Sequence, residues 1–237
     1  MFGELGSLLS IKNTSYSLEG DDLIIASLLR RMLPEYSHKG IFYLDIGASH
    51  PIQGSNTYLF YQSGYRGICV EPLPELADLH RQMRPLDFLS ESCISDSDGY
   101  SNFTVFEDLS TSSMDEETVV RYSQKFRTKR TFSVPTLTID SLIASLLPDS
   151  IDHIPLLSVD CEGLDHRIIA ASLESSIIFD LIVVEDKLVS FSNPFPTTQI
   201  SQLLYKKNYR LMAKTPLNSF YVRESSNAFS WIPISMF

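Results

Sequence analysis

Short apolar runs alternate with segments of helical period along most of the chain. Branched and aromatic residues bounded by turn residues predict buried strands over 40–47, 67–71, 87–94, 154–159 and 179–185. Apolar positions at helical spacing predict helices over 21–32, 55–63, 73–83, 140–147, 163–172 and 197–207. Strands that alternate with helices in this way favour a parallel sheet covered by helices.

The segment from 100 to 136 interrupts this alternation. Strands are predicted over 100–106 and 134–139, with a serine-rich loop over 109–113 and a helix over 116–126 between them. We expect this segment to be a lid or an acceptor-binding region within a single domain over 16–237, which follows a loose N-terminal arm over 1–15. At the other end, 209–214 and 219–223 are expected to pair as a hairpin around a proline-containing turn.

Composition limits the possible functions. The 237 residues suffice for one ample domain, and 29 acidic against 19 basic residues give a formal net charge of -10. A chain this acidic is repelled by phosphate backbones and anionic lipid, which argues against non-specific binding of nucleic acid or membranes. No apolar run is long enough to cross a bilayer and the first ten residues have no basic region, so we expect neither a membrane span nor a signal peptide. The three cysteines lack metal-ligand spacing and favour reduced thiols in the cytoplasm.

Polar residues, most of them acidic, follow the predicted strands of the sheet. Open α/β sheets bind ligands at the carboxyl ends of their strands. Gly47 follows the first strand, where the absence of a Cβ lets a ligand approach the backbone. Glu71 ends the next strand, where an acidic side chain accepts hydrogen bonds from both hydroxyls of a ribose. The turn lacks the further glycines that cradle a pyrophosphate, so these residues favour a nucleoside ligand such as S-adenosylmethionine. For the polar residue at any single strand exit, the alternative is that it only caps the strand or stabilises the turn.

Several longer blocks of sequence point to a family. They are YSLEGDD over 16–22, LDIGASHPIQGSNTYLFY over 44–61, GYRGICVEP over 64–72, TLTIDSL over 136–142 and LSVDCEG over 157–163. Together they resemble the FkbM-type S-adenosylmethionine-dependent methyltransferases, although Leu18 stands where the family usually has glutamine. The resemblance implies a class I methyltransferase fold, which is a Rossmann-like three-layer α/β sandwich with a seven-stranded, mostly parallel sheet and an antiparallel last strand. It also implies O-methylation of a hydroxyl on a sugar or on a related small or glycan acceptor.

The resemblance further implies a cofactor site at the strand exits. The residues it places there are Asp45, Gly47 and Ala48 at the methionine end, Glu71 on the ribose, Pro72 and Leu73 in the adenine slot, Ser92, Cys93 and Ile94 opposite that slot, and Asp160 near the methyl group. Asn56 and Thr57 begin the following helix, and they either cap it or contact the cofactor or acceptor. Ser158 stands where the family often has lysine, so a role tied to that lysine is not expected here.

Methyl transfer to a hydroxyl needs a positioned base or a metal, because an alcohol does not ionise unaided at neutral pH. The catalytic candidates are Asp160, Glu162 and His50, with His166 as a further candidate base. Alternatively, His50 is a turn residue and His166 lies on a solvated helix face. The two carboxylates could face one divalent cation, but no ligand spacing demands a metal and no metal site is predicted.

The candidates for contact with the acceptor are Ser112 in the serine-rich loop, Glu185 at the end of a strand, and Arg127. Arg127 belongs to a cluster of five basic residues over 121–130, which either binds an anionic acceptor or is a solvated surface. Two other functions stay open. An RNA ribose 2′-O-methyltransferase would have RNA as its partner, although the lysines that commonly activate a ribose hydroxyl are not evident. A catalytically inactive methyltransferase fold would serve as a binding subunit.

Overall fold

The computed structural model describes residues 14–32, 41–147, 151–186 and 198–224, so the predicted N-terminal arm lies almost wholly outside the described residues. Strands β1 to β10 span, in order, Tyr43–Ile46, Gly67–Val70, Phe88–Ser90, Cys93–Ile94, Gly99–Phe106, Thr128–Leu137, His153–Val159, Ile178–Glu185, Tyr209–Lys214 and Asn218–Arg223. Helices α1 to α7 span Asp21–Met32, Tyr58–Gln62, Pro74–Met83, Glu116–Ser123, Ile139–Leu146, Asp165–Glu174 and Gln199–Lys206. A 3₁₀ turn over Leu109–Thr111 precedes α4.

Seven strands form one sheet in the order β3-β2-β1-β7-β8-β10-β9. Six run in the same direction, and β10 is antiparallel to both of its neighbours, β8 and β9. This arrangement confirms the predicted seven-stranded, mostly parallel sheet whose last strand is antiparallel. It also confirms the pairing of the last two strands as a hairpin.

Helices cover both faces of this sheet. Successive side chains of a strand point to opposite faces, so each strand contributes to a core on both sides. Leu44 and Ile46 of β1 belong to a buried cluster with α5, α6 and α7, whereas Tyr43 belongs to a second cluster with α1 and α2. The result is the predicted three-layer sandwich. None of the helices in the described part of the chain combines the length and apolar character that crossing a bilayer requires.

The prediction of one strand over 87–94 is wrong. β3 ends at Ser90 in the main sheet, and β4 pairs instead with β6 in a separate three-stranded sheet of order β4-β6-β5. The chain changes sheets between them, where the hydroxyls of Ser90 and Ser92 lie 2.8 Å apart. The polar residues Ser90, Glu91 and Ser92 lie where the chain changes its partner strand.

The strand predicted over 134–139 is the end of a longer one. β6 begins at Thr128 and pairs antiparallel with β5, with Phe106 opposite Thr128 and Gly99 opposite Thr136. Residues 128–133 are exposed apart from a half-buried Phe132. Their basic side chains make this part of the sequence resemble solvated surface, which is why the first half of β6 was not predicted as a strand. β5, β6, the 3₁₀ turn and α4 together make up the 99–137 segment.

Every helix except α1 begins or ends one to three residues away from its predicted bounds. α2 begins at Tyr58 rather than at residue 55, because Ser55 Oγ accepts the backbone N–H groups of Thr57 at 3.3 Å and Tyr58 at 3.1 Å and so closes a turn first. α6 begins at Asp165 rather than at residue 163. The reason is the positive φ of Glu162 (41°) and Gly163 (103°), which is incompatible with a right-handed helix. α4 ends at Ser123 rather than at residue 126.

A buried ionic network joins the end of α3 to β1. The Arg84 guanidinium donates from Nε to Asp87 Oδ2 at 2.8 Å, and from Nη2 to Tyr43 Oη and Thr57 Oγ1, both at 3.0 Å. Thr57 Oγ1 in turn donates to Asp45 Oδ2 at 2.5 Å. The side chains of Arg84 and Asp87 are almost fully excluded from solvent, and charges are buried in this way only when they are paired. Arg84 was not predicted as a site residue. Through Tyr43 and Thr57 it holds β1, the strand whose carboxyl end forms part of the site.

Candidate active site

A cavity of about 490 Å³ opens at the carboxyl ends of β1, β2, β7 and β8, and its volume is in the range of small-ligand sites. Residues at or just beyond these strand ends line one side of it: Gly47, Glu71, Asp160 and Glu185. Residues of the 99–137 segment line the other side: Phe103, Leu109, Ser110, Ser112, Ser113 and Met114. The cavity therefore lies between the main sheet and this segment.

Two backbone N–H groups orient the carboxylate of Glu71 in the cavity wall. Its Oε2 accepts the backbone N–H of Ser49 and its Oε1 accepts the backbone N–H of Leu73, both at 2.8 Å. Burial raises the pKa of Glu71 to about 7, in spite of these two donors, which favour the charged form. The carboxylate is thus oriented by the backbone of two turns and presented at the strand end where a ribose was predicted to bind.

Apolar and weakly polar side chains complete this half of the cavity. They are Pro72, Leu73, Leu76, Ser92, Cys93 and Ile94, of which all but Leu76 belong to the predicted cofactor site. Burial raises the pKa of Cys93 to about 12, so its thiol is protonated at neutral pH and adds an apolar rather than a nucleophilic surface. An adenine ring needs this kind of wall, and the residues present fit a nucleoside.

Gly47 is required by its neighbour across the sheet rather than by a ligand. It has φ 78°, and a Cβ at this position would lie 1.9 Å from the carbonyl oxygen of Asp160. The expectation that the missing Cβ makes room for a ligand is therefore incomplete, because the exit of β7 already occupies that space. Gly47 lines the cavity through its backbone.

Asp45 and its partners lie behind the cavity wall. The side chain of Asp45 points to the α2 face of the sheet, where it accepts from Thr57, and burial raises its pKa. Asn56 Nδ2 donates to Ser158 Oγ at 3.3 Å, and Ala48 donates its backbone N–H to Val70. Of the predicted cofactor residues, Asp45, Ala48, Asn56 and Thr57 are not among those that line the cavity. These contacts hold β1, β2 and β7 together around it.

Three carboxylates face one another at the other half of the cavity. One oxygen each of Asp160, Glu162 and Glu185 lies within 4.8 Å of the other two. Asp160 is exposed, and the other two are half-buried. Carboxylates at this separation suit the removal of a proton from a hydroxyl, and carboxylate oxygens are also the ligands that Mg²⁺ and Ca²⁺ prefer.

Glu162 is also in contact with the 99–137 segment. Tyr122 Oη donates to Glu162 Oε2 at 2.6 Å, and Ser113 Oγ donates to the carbonyl oxygen of Glu162 at 2.9 Å. Tyr122 lies 40 positions before Glu162 in the sequence, so no local pattern could have indicated this contact.

The candidate histidines lie elsewhere. His50 Nδ1 accepts the backbone N–H groups of Ile52 at 3.1 Å and Gln53 at 3.0 Å, so this ring closes a turn. His166 is in the first turn of α6. Neither residue lines the cavity.

His80 is a buried residue that was not predicted to lie near the site. Its Nε2 donates to the carbonyl oxygen of Ser49 at 2.9 Å, and Ser49 is the residue whose N–H donates to Glu71. Burial, together with the nearby Arg84 cation, lowers the pKa of His80 to about 4, so the ring is neutral at pH 7. Its place four residues after Leu76 on α3, and therefore on the same helix face, is a signal that could have indicated a role near the cavity.

The acceptor candidates are divided. Ser112 and Glu185 line the cavity. Arg127 is exposed and is not among the lining residues, and Lys125 near it is also exposed. Among the described residues that line the cavity, none is a lysine or an arginine, whereas four are acidic.

The order of the strands and the cavity at their carboxyl ends define the class I methyltransferase fold with its ligand site at the strand exits. Residues 45–211 match the family model of the methyltransferase FkbM domain, and the chain belongs to this family. Membership of this family implies S-adenosylmethionine as the methyl donor. No curated protein matches the chain.

Solved structures are similar to the chain, and two of them serve as examples. A TehB-like SAM-dependent methyltransferase from Corynebacterium glutamicum has 11% sequence identity and a TM-score of 0.39, and the match covers 88% of this chain and 89% of that one. Monomeric WbdD has 13% identity and a TM-score of 0.45, and the match covers 92% of this chain and 48% of that one.

Proposed function

We propose that the protein transfers a methyl group from S-adenosylmethionine to a hydroxyl of an uncharged acceptor, a sugar or a glycan. The observation that supports this most is that a single cavity joins Glu71, which suits a ribose, to three carboxylates, which suit proton removal from a hydroxyl. Donor and acceptor would therefore meet in one partly enclosed space, where positioning contributes most to the rate.

Glu71 would hold the nucleoside. Both of its oxygens are already oriented by backbone N–H groups, so the carboxylate needs no reorganisation on binding. Each carboxylate oxygen has two acceptor sites, which leaves capacity for the two hydroxyls of a ribose. S-adenosylmethionine supplies an electrophilic methyl group on a positively charged sulfur, and an acidic cavity favours such a cation.

The proton of the acceptor hydroxyl would pass to a carboxylate at the second half of the cavity. Asp160, Glu162 and Glu185 are the candidates. We prefer them to His50, because its Nδ1 already accepts two backbone N–H groups. A divalent cation held by the same oxygens is a second route to the ionised hydroxyl, and a chelator distinguishes the two routes.

The charge of the wall supports an uncharged acceptor. Four acidic side chains and no basic ones line the cavity within the described part of the chain, so a phosphate or carboxylate on the acceptor would be repelled close to the reaction. Ser112 would contact the acceptor inside the cavity. Arg127 lies outside it and would meet only the distal part of a large acceptor.

Calorimetric titration with S-adenosylmethionine and S-adenosylhomocysteine tests the first half of the proposal. We expect wild type to bind both, and Glu71→Gln to bind at least about tenfold more weakly, because a hydrogen bond to a charged group is lost. Glu117→Gln is the matched control, since Glu117 is an exposed acid outside the cavity wall. Wild type that binds neither nucleoside would refute the proposal.

Transfer of a labelled methyl group tests the second half. The acceptor panel is a set of methyl glycosides and oligosaccharides, each assayed with and without EDTA. We expect label on a glycoside hydroxyl, and a loss of about 100-fold or more in kcat for at least one of Asp160→Asn, Glu162→Gln and Glu185→Gln. Nucleoside binding without transfer to any acceptor would favour an inactive binding subunit instead.

An RNA oligonucleotide in the same panel tests the remaining alternative. A ribose 2′-O-methyltransferase needs a cation beside the hydroxyl, and no lysine lines the cavity among the described residues. Label on RNA that falls steeply with added salt and is lost in Arg127→Ala would favour this function over ours.

We also propose that the protein works in the cytoplasm. All three cysteines are free, and two of them, Cys69 and Cys93, are buried. Free thiols are typical of a reducing compartment.

A further inference from the structure

The backbone around Glu162 is fixed by groups on both sides of it. Glu162 itself has φ 41°, a left-handed conformation that is uncommon for a residue other than glycine. The Asp165 carboxylate accepts the backbone N–H groups of Cys161 at 2.9 Å and Gly163 at 3.3 Å. A Cβ on Gly163 would lie 2.1 Å from Thr118 Oγ1, so α4 packs directly against this turn.

The side chain of Glu162 is fixed by one hydroxyl. Tyr122 Oη donates to Oε2 at 2.6 Å, a short bond of the kind that ionised acceptors make. The other oxygen, Oε1, has no hydrogen-bond partner in the described part of the chain. Without the phenol, the carboxylate would be held in the cavity by nothing that the described residues provide.

Repulsion within the cavity makes this bond important. The oxygens of Glu162, Asp160 and Glu185 lie within 4.8 Å of one another, and like charges at this distance repel. A glutamate side chain has three rotatable bonds and can turn outward to reduce that repulsion. The Tyr122 hydroxyl opposes this movement, because the bond forms only when the carboxylate faces inward.

We infer that Tyr122 is a positioning residue for methyl transfer, whose hydroxyl keeps the Glu162 carboxylate beside Asp160 and Glu185. The inference rests on the proposed function, since it concerns the carboxylates to which we assign proton removal. It also gives the 99–137 segment a chemical role besides lining the cavity, because Tyr122 and Ser113 both belong to that segment.

The ring and the hydroxyl of Tyr122 have separate contacts. The ring packs edge-on against Phe106 and Phe126, with centroids 6.1 and 5.8 Å away, and the Arg121 guanidinium lies 5.1 Å from its centroid. Tyr122→Phe therefore keeps the packing and removes only the hydroxyl. Tyr100→Phe is the matched control, because Tyr100 belongs to the same segment and is 80% exposed.

Steady-state kinetics with the most active methyl glycoside test the inference. For Tyr122→Phe we expect kcat to fall about tenfold, since general-base catalysis is worth more than this and only its positioning is lost. KM for both substrates should stay within twofold of wild type. The melting temperature should stay within about 2 °C of wild type. Tyr100→Phe should match wild type throughout. A kcat within twofold of wild type, or a fall in kcat matched by an equal loss of S-adenosylhomocysteine affinity, would overturn the inference.

Crystal structures of wild type and Tyr122→Phe with S-adenosylhomocysteine decide the matter independently of turnover. We expect the Glu162 carboxylate of the variant to leave its place, so that its oxygens are no longer within 4.8 Å of those of Asp160 and Glu185. A carboxylate that stays in place would overturn the inference. If wild type methylates no acceptor, the proposed function fails, and these two structures still test the role of Tyr122.

Discussion

The carbonyl oxygen of Asp160 lies where a side chain on Gly47 would have to begin. A Cβ there would be 1.9 Å from this oxygen, well inside van der Waals contact. The exits of β1 and β7 are therefore in direct contact. This contact places Asp160 at the cavity, beside the turn in which the Ser49 N–H donates to Glu71.

Gly47→Ala should destabilise the protein and abolish nucleoside binding. The overlap with Asp160 adds to the cost of a positive φ. We expect the two effects together to lower the free energy of unfolding, measured with urea, by about 3 kcal/mol. Gly20→Ala is the control, because Gly20 has φ 80° and a Cβ added there would meet nothing within 4 Å, so it reports the backbone cost alone, about 1 kcal/mol. Equal losses in the two variants would show that the contact with Asp160 relaxes freely.

Asp87→Ala should be among the most damaging single substitutions. It removes the carboxylate partner of Arg84, whose side chain is fully buried, and a buried charge left without its partner costs about 3–5 kcal/mol. Asp78→Ala breaks an ion pair with Arg81 whose side chains are 67% and 50% exposed, and it should cost less than about 1 kcal/mol. Chemical unfolding measures the loss of unfolding free energy in each variant. Equal losses in the two would show that the Arg84 network is solvated.

Nucleoside affinity should depend on pH through Glu71. The pKa of this carboxyl is raised to about 7 by burial, so it becomes protonated as the pH falls below that value and then accepts hydroxyls less well. Titration with S-adenosylhomocysteine from pH 8.5 to pH 5.5 should show weakening below pH 7, by at most about tenfold per pH unit. Glu71→Gln should bind weakly with no such dependence. A flat profile for wild type would contradict the assignment of Glu71 to the ribose.

His80 should make the folded protein sensitive to acid. Its pKa is about 4 in the folded protein against an ordinary value of 6.5, so between these values the unfolded chain binds more protons. Its contribution to stability is therefore fully present above pH 6.5 and is lost as the pH falls toward 4.

His80→Asn keeps a donor for Ser49 and removes this titration. The stability advantage of wild type over the variant, measured by urea unfolding, should be about 2 kcal/mol larger at pH 7 than at pH 5. An advantage that is the same at both pH values would show that His80 is accessible to protons in the folded protein.

The strands and their exits could be predicted from the sequence because they depend on local pattern. The apolar runs that precede Gly47 and Glu71 have no polar residue to place on a solvated face, apart from Asp45, so they had to be buried strands of a parallel sheet. The direction of the Asp45 side chain was less evident. Alternation along β1 places it on the face opposite Ile46, and only Ile46 of the two lines the cavity.

The contacts that complete the site could not be predicted, because they join residues far apart in the chain. Tyr122 reaches Glu162 across 40 positions, and Arg84 reaches Tyr43 across 41. The change of sheet after Ser90 does have a local signal, since the polar residues Ser90, Glu91 and Ser92 lie at the junction of β3 and β4. Whether the 99–137 segment acts as a lid remains a prediction.

A crystal structure with S-adenosylhomocysteine is the most direct test of the account. We predict that both ribose hydroxyls donate to the Glu71 carboxylate, that the adenine ring lies against Leu73 and Ile94, and that the sulfur faces Asp160, Glu162 and Glu185. A nucleoside bound elsewhere, or bound with its sulfur directed away from these three carboxylates, would contradict the proposed reaction.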